Sequence, residues 1–325
     1  SVPMYALIQH RSARAECARI IAANNIINAL FMIASSIIAG AMLGKLVVES
    51  GAAQRIADIV NQHWDKAKPW ELARNPAGCV DLFDLHLQSG KVRLVVDLSA
   101  AFRLQDTSLY PRWYGFEHTQ PALVKQAVYG LPEMYRSALA GATFIATPGC
   151  YVTAASLALA PLVKSGVIEP SGVIVDAASG VSGAGRALKQ SSMFTSVNED
   201  FTAYGLLDHR HTPEIEQNLS KSAGARVQVN FTPVLASIER GILAVNTAVL
   251  KPGVDLHKVR SAFESAYAGE KFIKISATGE YPSTADTIGE NFALIGLAVD
   301  SHANRLISVC AIDNLVKGTG GAAIQ

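Results

Sequence analysis

From Lys91 onward, short β-branched runs alternate with helical stretches, and this alternation limits the possible folds more than any other feature of the chain. The runs are "VRLVVD" (Val92–Asp97), "TFIAT" (143–147), "GVIVD" (Gly172–Asp176), "RVQVNFT" (Arg226–Thr232) and "GILAVNTAVL" (Gly241–Leu250). "FALIGLAVD" (Phe292–Asp300) and "RLISVCAI" (Arg305–Ile312) continue the series. Val, Ile and Phe between turn residues are what half-buried strands require. Tyr151–Lys164, Pro213–Ser222 and Asp255–Ala268 read as helices, the last opening on an acidic residue after "KPG". Several later strands follow one another with no helix between them. That order predicts an α+β arrangement with an antiparallel or mixed sheet rather than a uniform βαβ repeat.

The front of the chain has a different texture. Residues 1–64 read as a helical, apolar N-terminal segment, and 65–86 as a junction that loses periodicity. The run at 20–44 carries no charge, with His10, Arg11, Arg14 and Arg19 before it and Lys45 after it. A bilayer needs roughly 20 apolar residues, so the run fits a membrane-spanning helix and a buried helix alike. Any membrane contact would pass through it, with the basic flank on the cytoplasmic side. Net charge is +1 with 17% charged residues, so no basic field argues for nucleic acid. The four cysteines, Cys17, Cys79, Cys150 and Cys310, are far apart, which suits a reducing, cytoplasmic setting better than a disulfide framework.

Three clusters carry chemistry. In "ATFIATPGCYVTAASLALAPL" an apolar strand ends in Pro-Gly and Cys150 opens a helix. Only the thiolate is nucleophilic, and a helix N-terminus, with its partial positive charge and free N–H groups, is expected to lower the thiol pKa and to hold an oxyanion. The plain alternative is a small buried cysteine. "DHRHTPEIEQ" (Asp208–Gln217) sets His209, Arg210, His211 and Glu214 close together, with Pro213 starting a helix. Histidine transfers protons near neutral pH and a carboxylate can orient it. A solvated loop is the alternative; a metal site is not expected, since no third ligand stands nearby. "SGVSGAGR" (Ser179–Arg186) is a loop whose backbone can approach a ligand or cradle an anion.

In this order the three clusters resemble N-acetyl-gamma-glutamyl-phosphate reductase of arginine biosynthesis. "VVDLSAAFRL" (Val95–Leu104), "YPRWYGFEH" (Tyr110–His118), "AVYGLPE" (Ala127–Glu133), "FTPVLASIERGI" (Phe231–Ile242) and "DNLVKG" (Asp313–Gly318) extend the likeness over about residues 87–325. The resemblance implies that Cys150 attacks an acyl phosphate, releases phosphate and leaves a thioester, which NADP(H) reduces to the aldehyde. It implies His211 as acid/base with Glu214 positioning it, and His209 as second choice. Arg103, Arg186 and Arg210 become candidates for the substrate's anionic groups, and Ser182, Gly183 and Asn314 for the cofactor. It also implies a homo-oligomer.

The implied architecture is an incomplete α/β nucleotide domain of Rossmann type (87–149, with a return at 306–325) around a reductase-type α+β catalytic and dimerisation domain (150–305). The family's opening glycine-rich phosphate turn has no counterpart in residues 1–86. There "QHRSARAECARIIAANNIINALFMIASS" (Gln9–Ser36) is loosely similar to a major-facilitator transporter, and "GAMLGKLVVESGAAQRIA" (Gly40–Ala57) to a gluconate-type permease. The chain opens on serine and stops soon after "KG", which fits a chimeric reading frame. The rival expectations are an inactive or membrane-associated fragment, and an acyl-phosphate reductase of the lysine-pathway or aspartate-semialdehyde type.

Overall fold

The computed structural model describes residues 94–185 and 189–325. The helical segment 1–64, the junction 65–86, the run 20–44 and Arg186 lie outside the described residues. Among the described residues, no helix is long and apolar enough to cross a membrane.

Two sheets organise the described chain. The smaller is parallel, in the order β1 (Val95–Asp97), β3 (Phe144–Ala146), β2 (Val128–Tyr129). Three short helices connect its strands: α1 (Tyr110–Tyr114), α2 (Pro121–Gln126) and α3 (Pro132–Leu139). Each has proline in its first turn, where a missing N–H costs nothing. Because the strands are parallel, Asp97, Tyr129 and Thr147 all stand at one edge, the C-terminal one.

The larger sheet has the order β5 (Phe201–Ala203), β6 (Val229–Ala236), β4 (Val173–Ser179), β7 (Ile242–Val249), β10 (Arg305–Ile312), β9 (Ala293–Asp300), β8 (Ile273–Ile275). It is mixed, as expected: β4 runs parallel to β6 and β8 to β9, and the other pairs are antiparallel. β10 pairs with both β7 and β9 along its length, so the sheet runs through the domain boundary expected at 305.

One helix fills the centre. α4 (Cys150–Ser165) packs on β7 and β10 and on two further helices, α6 (Thr212–Ala223) and α7 (Leu256–Ala266). The remaining α-helices among the described residues, α5 (Phe194–Val197) and α8 (Gly321–Ile324), are single turns. Every residue of α4 from Tyr151 to Val163 is buried. Its leucines and alanines explain this: a fully buried leucine contributes about 1.5–3 kcal/mol, and alanine lets sheet and helices approach from several sides. Pro161 has no N–H, so the carbonyl of Leu157 loses its usual donor. The Tyr267 hydroxyl donates to it instead, at 2.7 Å. Gly166, with φ of 69°, ends the helix in the left-handed region that side chains avoid.

Candidate active site

The turn Thr147–Gly149 joins β3 to α4 and places Cys150 at the first helical position. It is gripped from three sides. Thr147 donates its N–H (2.8 Å) and its Oγ1–H (2.7 Å) to the carbonyl of Asp97. Arg103 Nε donates to the Thr147 carbonyl at 2.7 Å. The Gly149 N–H donates to Glu214 Oε1 at 3.0 Å. All of Asp97, Arg103 and Glu214 are buried. A polar turn this tightly held inside a protein leaves the following residue little freedom, which a nucleophile needs.

α6 delivers the second group. His211 is the N-cap residue, so two helix N-termini converge on one spot. The His211 ring lies directly against Gly149; a methyl group there would overlap it. His209 Nδ1 accepts from the His211 N–H at 3.1 Å, and the two rings meet edge-on, 4.8 Å apart. Tyr151 and Phe231 close on His209 from other sides. Burial, with Arg210 beside it, pulls the His209 imidazole down to about 4. Burial pulls His211 well below its usual value, and His209, Arg103 and Arg210 add to the effect. Both rings are therefore neutral at neutral pH, and His211 Nδ1 is buried with no hydrogen-bond partner.

Two expectations change here. A helix start was expected to lower the Cys150 thiol, and the Tyr151 and Cys150 N–H groups and the charges of Arg103 and Arg210 do act that way. Withdrawal from water outweighs them and raises it. Glu214 was expected to position His211, but no hydrogen bond joins them. Its Oε1 instead takes the Gly149 N–H and the Tyr129 hydroxyl, the latter at 2.5 Å, while Oε2 faces Arg103 Nη1 at 3.7 Å.

Arg103, expected to meet the substrate's anionic groups, also serves the protein itself. Besides Nε, its Nη2 donates to the Leu98 carbonyl at 3.1 Å, so two of its five N–H groups hold the protein's own backbone. Arg210 is exposed, and its charge bears on Cys150 and both histidines.

The third expected group also comes together. Asn314 Nδ2 donates to Ser182 Oγ at 3.0 Å, while Asn314 Oδ1 accepts from the Gly241 N–H at 2.7 Å. A side chain on Gly183 would run into Ser179 and meet this amide. The turn carrying Asn314 continues to Gly318, where any Cβ would meet that of Cys150. Asp313 holds the turn closed by accepting from the N–H groups of Leu315 (2.8 Å), Val316 (2.9 Å) and Gly289 (2.7 Å).

This arrangement has relatives. Residues 150–314 match the semialdehyde dehydrogenase dimerisation domain. N-acetyl-gamma-glutamyl-phosphate reductase of Symbiobacterium thermophilum is 49% identical over 232 residues, 71% of this chain and 67% of that protein. The reductase of the same name from Moorella thermoacetica is 46% identical over 231 residues, again 71% of this chain and 67% of that one. The chain belongs to the N-acetyl-gamma-glutamyl-phosphate reductase family. In fold it is a semialdehyde dehydrogenase with a mixed sheet and helices. Aspartate semialdehyde dehydrogenase II from Vibrio cholerae superposes with a TM-score of 0.55 at 18% identity, covering 73% of this chain and 72% of that one.

Reading the sequence for reductase chemistry missed four polar residues at this site: Asp97, Tyr129, Thr147 and Arg240. Arg240 Nε stands 3.4 Å from Asp313 Oδ2 in the turn between β6 and β7. Asp97, Tyr129 and Thr147 share one signal, a polar group at the last residue of an apolar strand or just past it. Arg240 left no comparable signal, because its role depends on a loop that docks from elsewhere in the chain.

Proposed function

We propose that this chain reduces N-acetyl-glutamyl 5-phosphate to the 5-semialdehyde with release of phosphate, a reading supported by the reductase name that its relatives carry. The observation that carries the reading is Cys150 at the meeting of two helix N-termini, with the neutral His211 ring packed on the preceding residue. Cys150 Sγ attacks the acyl carbon, the bond to the phosphate oxygen breaks, and phosphate leaves with the electron pair. The thiol proton passes to His211, whose neutral imidazole can accept it. The exposed Arg210 is the cation that meets the departing phosphate, since a guanidinium fork suits its oxygens.

A nicotinamide cofactor, NADP(H), would supply the hydride for the second half of the reaction. Ser182, Gly183 and Asn314 fit its amide end: the cradle stays open only because residue 183 has no side chain, and Asn314 Nδ2 has a second N–H to offer. His211 then returns its proton to the oxygen of the reduced thioester; when the C–S bond breaks, the electron pair and that proton return to Cys150 Sγ and the aldehyde is released. The small parallel sheet would be part of the cofactor domain, because such domains bind at the C-terminal edge of the strands. The match of 150–314 to a dimerisation domain supports a homo-oligomer. The free thiols of Cys150 and Cys310 suit a cytoplasmic enzyme.

The test is turnover of Cys150→Ser, assayed in reverse by phosphate-dependent NADP reduction with N-acetyl-glutamate semialdehyde. A loss of about a thousandfold or more is expected when a covalent nucleophile is removed. Undiminished turnover would remove Cys150 from the mechanism.

A further inference from the structure

Tyr129 ends strand β2 and is buried. Its ring packs edge-on against Tyr135, and a phenylalanine would fill that space equally well. The hydroxyl therefore needs its own explanation. It donates to Glu214 Oε1 at 2.5 Å, the same oxygen that receives the Gly149 N–H at 3.0 Å. Glu214 Oε2 has no hydrogen bond and meets only the guanidinium of Arg103, at 3.7 Å. Without Tyr129 the carboxylate would be free to swing its Oε1 from Gly149 toward that guanidinium.

We propose that Tyr129 is a positioning residue that acts through Glu214: its hydroxyl pins the carboxylate on the Gly149 N–H and thereby sets the orientation of Cys150. The chain of contacts runs from β2 through α6 to the turn before α4. It ties the C-terminal edge of the small sheet to the nucleophile of the large domain. Hydrogen bonds to a charged acceptor are the stronger kind, and they hold geometry best where water is excluded. With the Tyr129 hydroxyl gone, the Gly149 N–H is the one hydrogen bond left on the Glu214 carboxylate among the described residues, and the group is freer to rotate away from it.

The inference rests on the reading of Cys150 as nucleophile, but its test does not need turnover. Alkylation of Cys150 by iodoacetamide is followed across pH, quantified on the peptide that carries it, in wild type, Tyr129→Phe, Glu214→Ala and the double variant. Circular dichroism establishes that each is folded. Tyr129→Phe is expected to slow alkylation at pH 7 by about five-fold, and the factor should disappear in the Glu214→Ala background, where the shared acceptor is gone, as coupled residues require. Tyr267→Phe removes a buried hydroxyl bonded to the Leu157 carbonyl rather than to Glu214, and should leave the rate within about two-fold. A Tyr129→Phe rate equal to wild type overturns the proposal, as does a factor that persists undiminished without the carboxylate. The nucleophile reading stands or falls separately, on turnover of Cys150→Ser.

Discussion

The front and the body of helix α4 solve the same problem differently. Along its body, buried polar groups find full partners. Leu157 O accepts from Tyr267, Ala158 O accepts from Ser308 Oγ at 3.2 Å, and Ser156 Oγ accepts from Asn218 Nδ2 at 3.2 Å. At its front, in the turn before Cys150 and the side chains around it, three buried atoms have no hydrogen-bond partner: Asp97 Oδ2, Glu214 Oε2 and His211 Nδ1. A buried polar atom without a partner costs on the order of 1–3 kcal/mol. The body of the helix is built for stability, whereas the front retains unused donors and acceptors where chemistry is proposed.

The sharpest way to break this contrast is Glu214→Ala. It leaves the Arg103 charge buried without its counter-ion and strips the acceptor from Gly149, so a loss of about 3–5 kcal/mol is expected in urea unfolding. A loss under about 1 kcal/mol would mean that water already reaches the front of the helix. Acid comes next in size. His209 has a folded value of about 4 against 6.5 unfolded, so the unfolded chain binds the extra proton in that window. Stability should therefore be fully present above pH 6.5 and fall as pH drops toward 4, by on the order of 2–3 kcal/mol from this residue. His209→Gln should lower that slope by its own share and leave the share of His211, which burial also holds well below its usual value; an unchanged slope would assign the acid sensitivity elsewhere. The smallest effect belongs to the helix body. Tyr267→Phe orphans the Leu157 carbonyl and should cost about 1–2 kcal/mol while leaving Cys150 alkylation untouched. A change in alkylation would show that the body and the front are not independent.

The strand series was legible because β-branched runs between turn residues have few other uses. β7 and β9 appear within a residue or two of their expected bounds, and β10 coincides with its run. Helices α4, α6 and α7 were legible from their apolar spacing and their starts. The two-residue β2 and the short helices α1 to α3 were not, since such elements hold only by docking on something else.

At the site, Cys150 and His211 could be picked from the sequence because residue type and helix position limit what they can do. Their surroundings could not. Residues 97, 103, 129, 149 and 214 meet only when three parallel strand ends and two helix starts are brought to one point. Burial at that point reversed the expected acidity of Cys150 and turned Glu214 from His211 to Gly149. Local sequence determined which of the longer elements form and which side chains could react. The tertiary structure alone decided which carboxylate faces which donor and how much water remains, because desolvation and hydrogen-bond partnership depend on residues far apart in the chain.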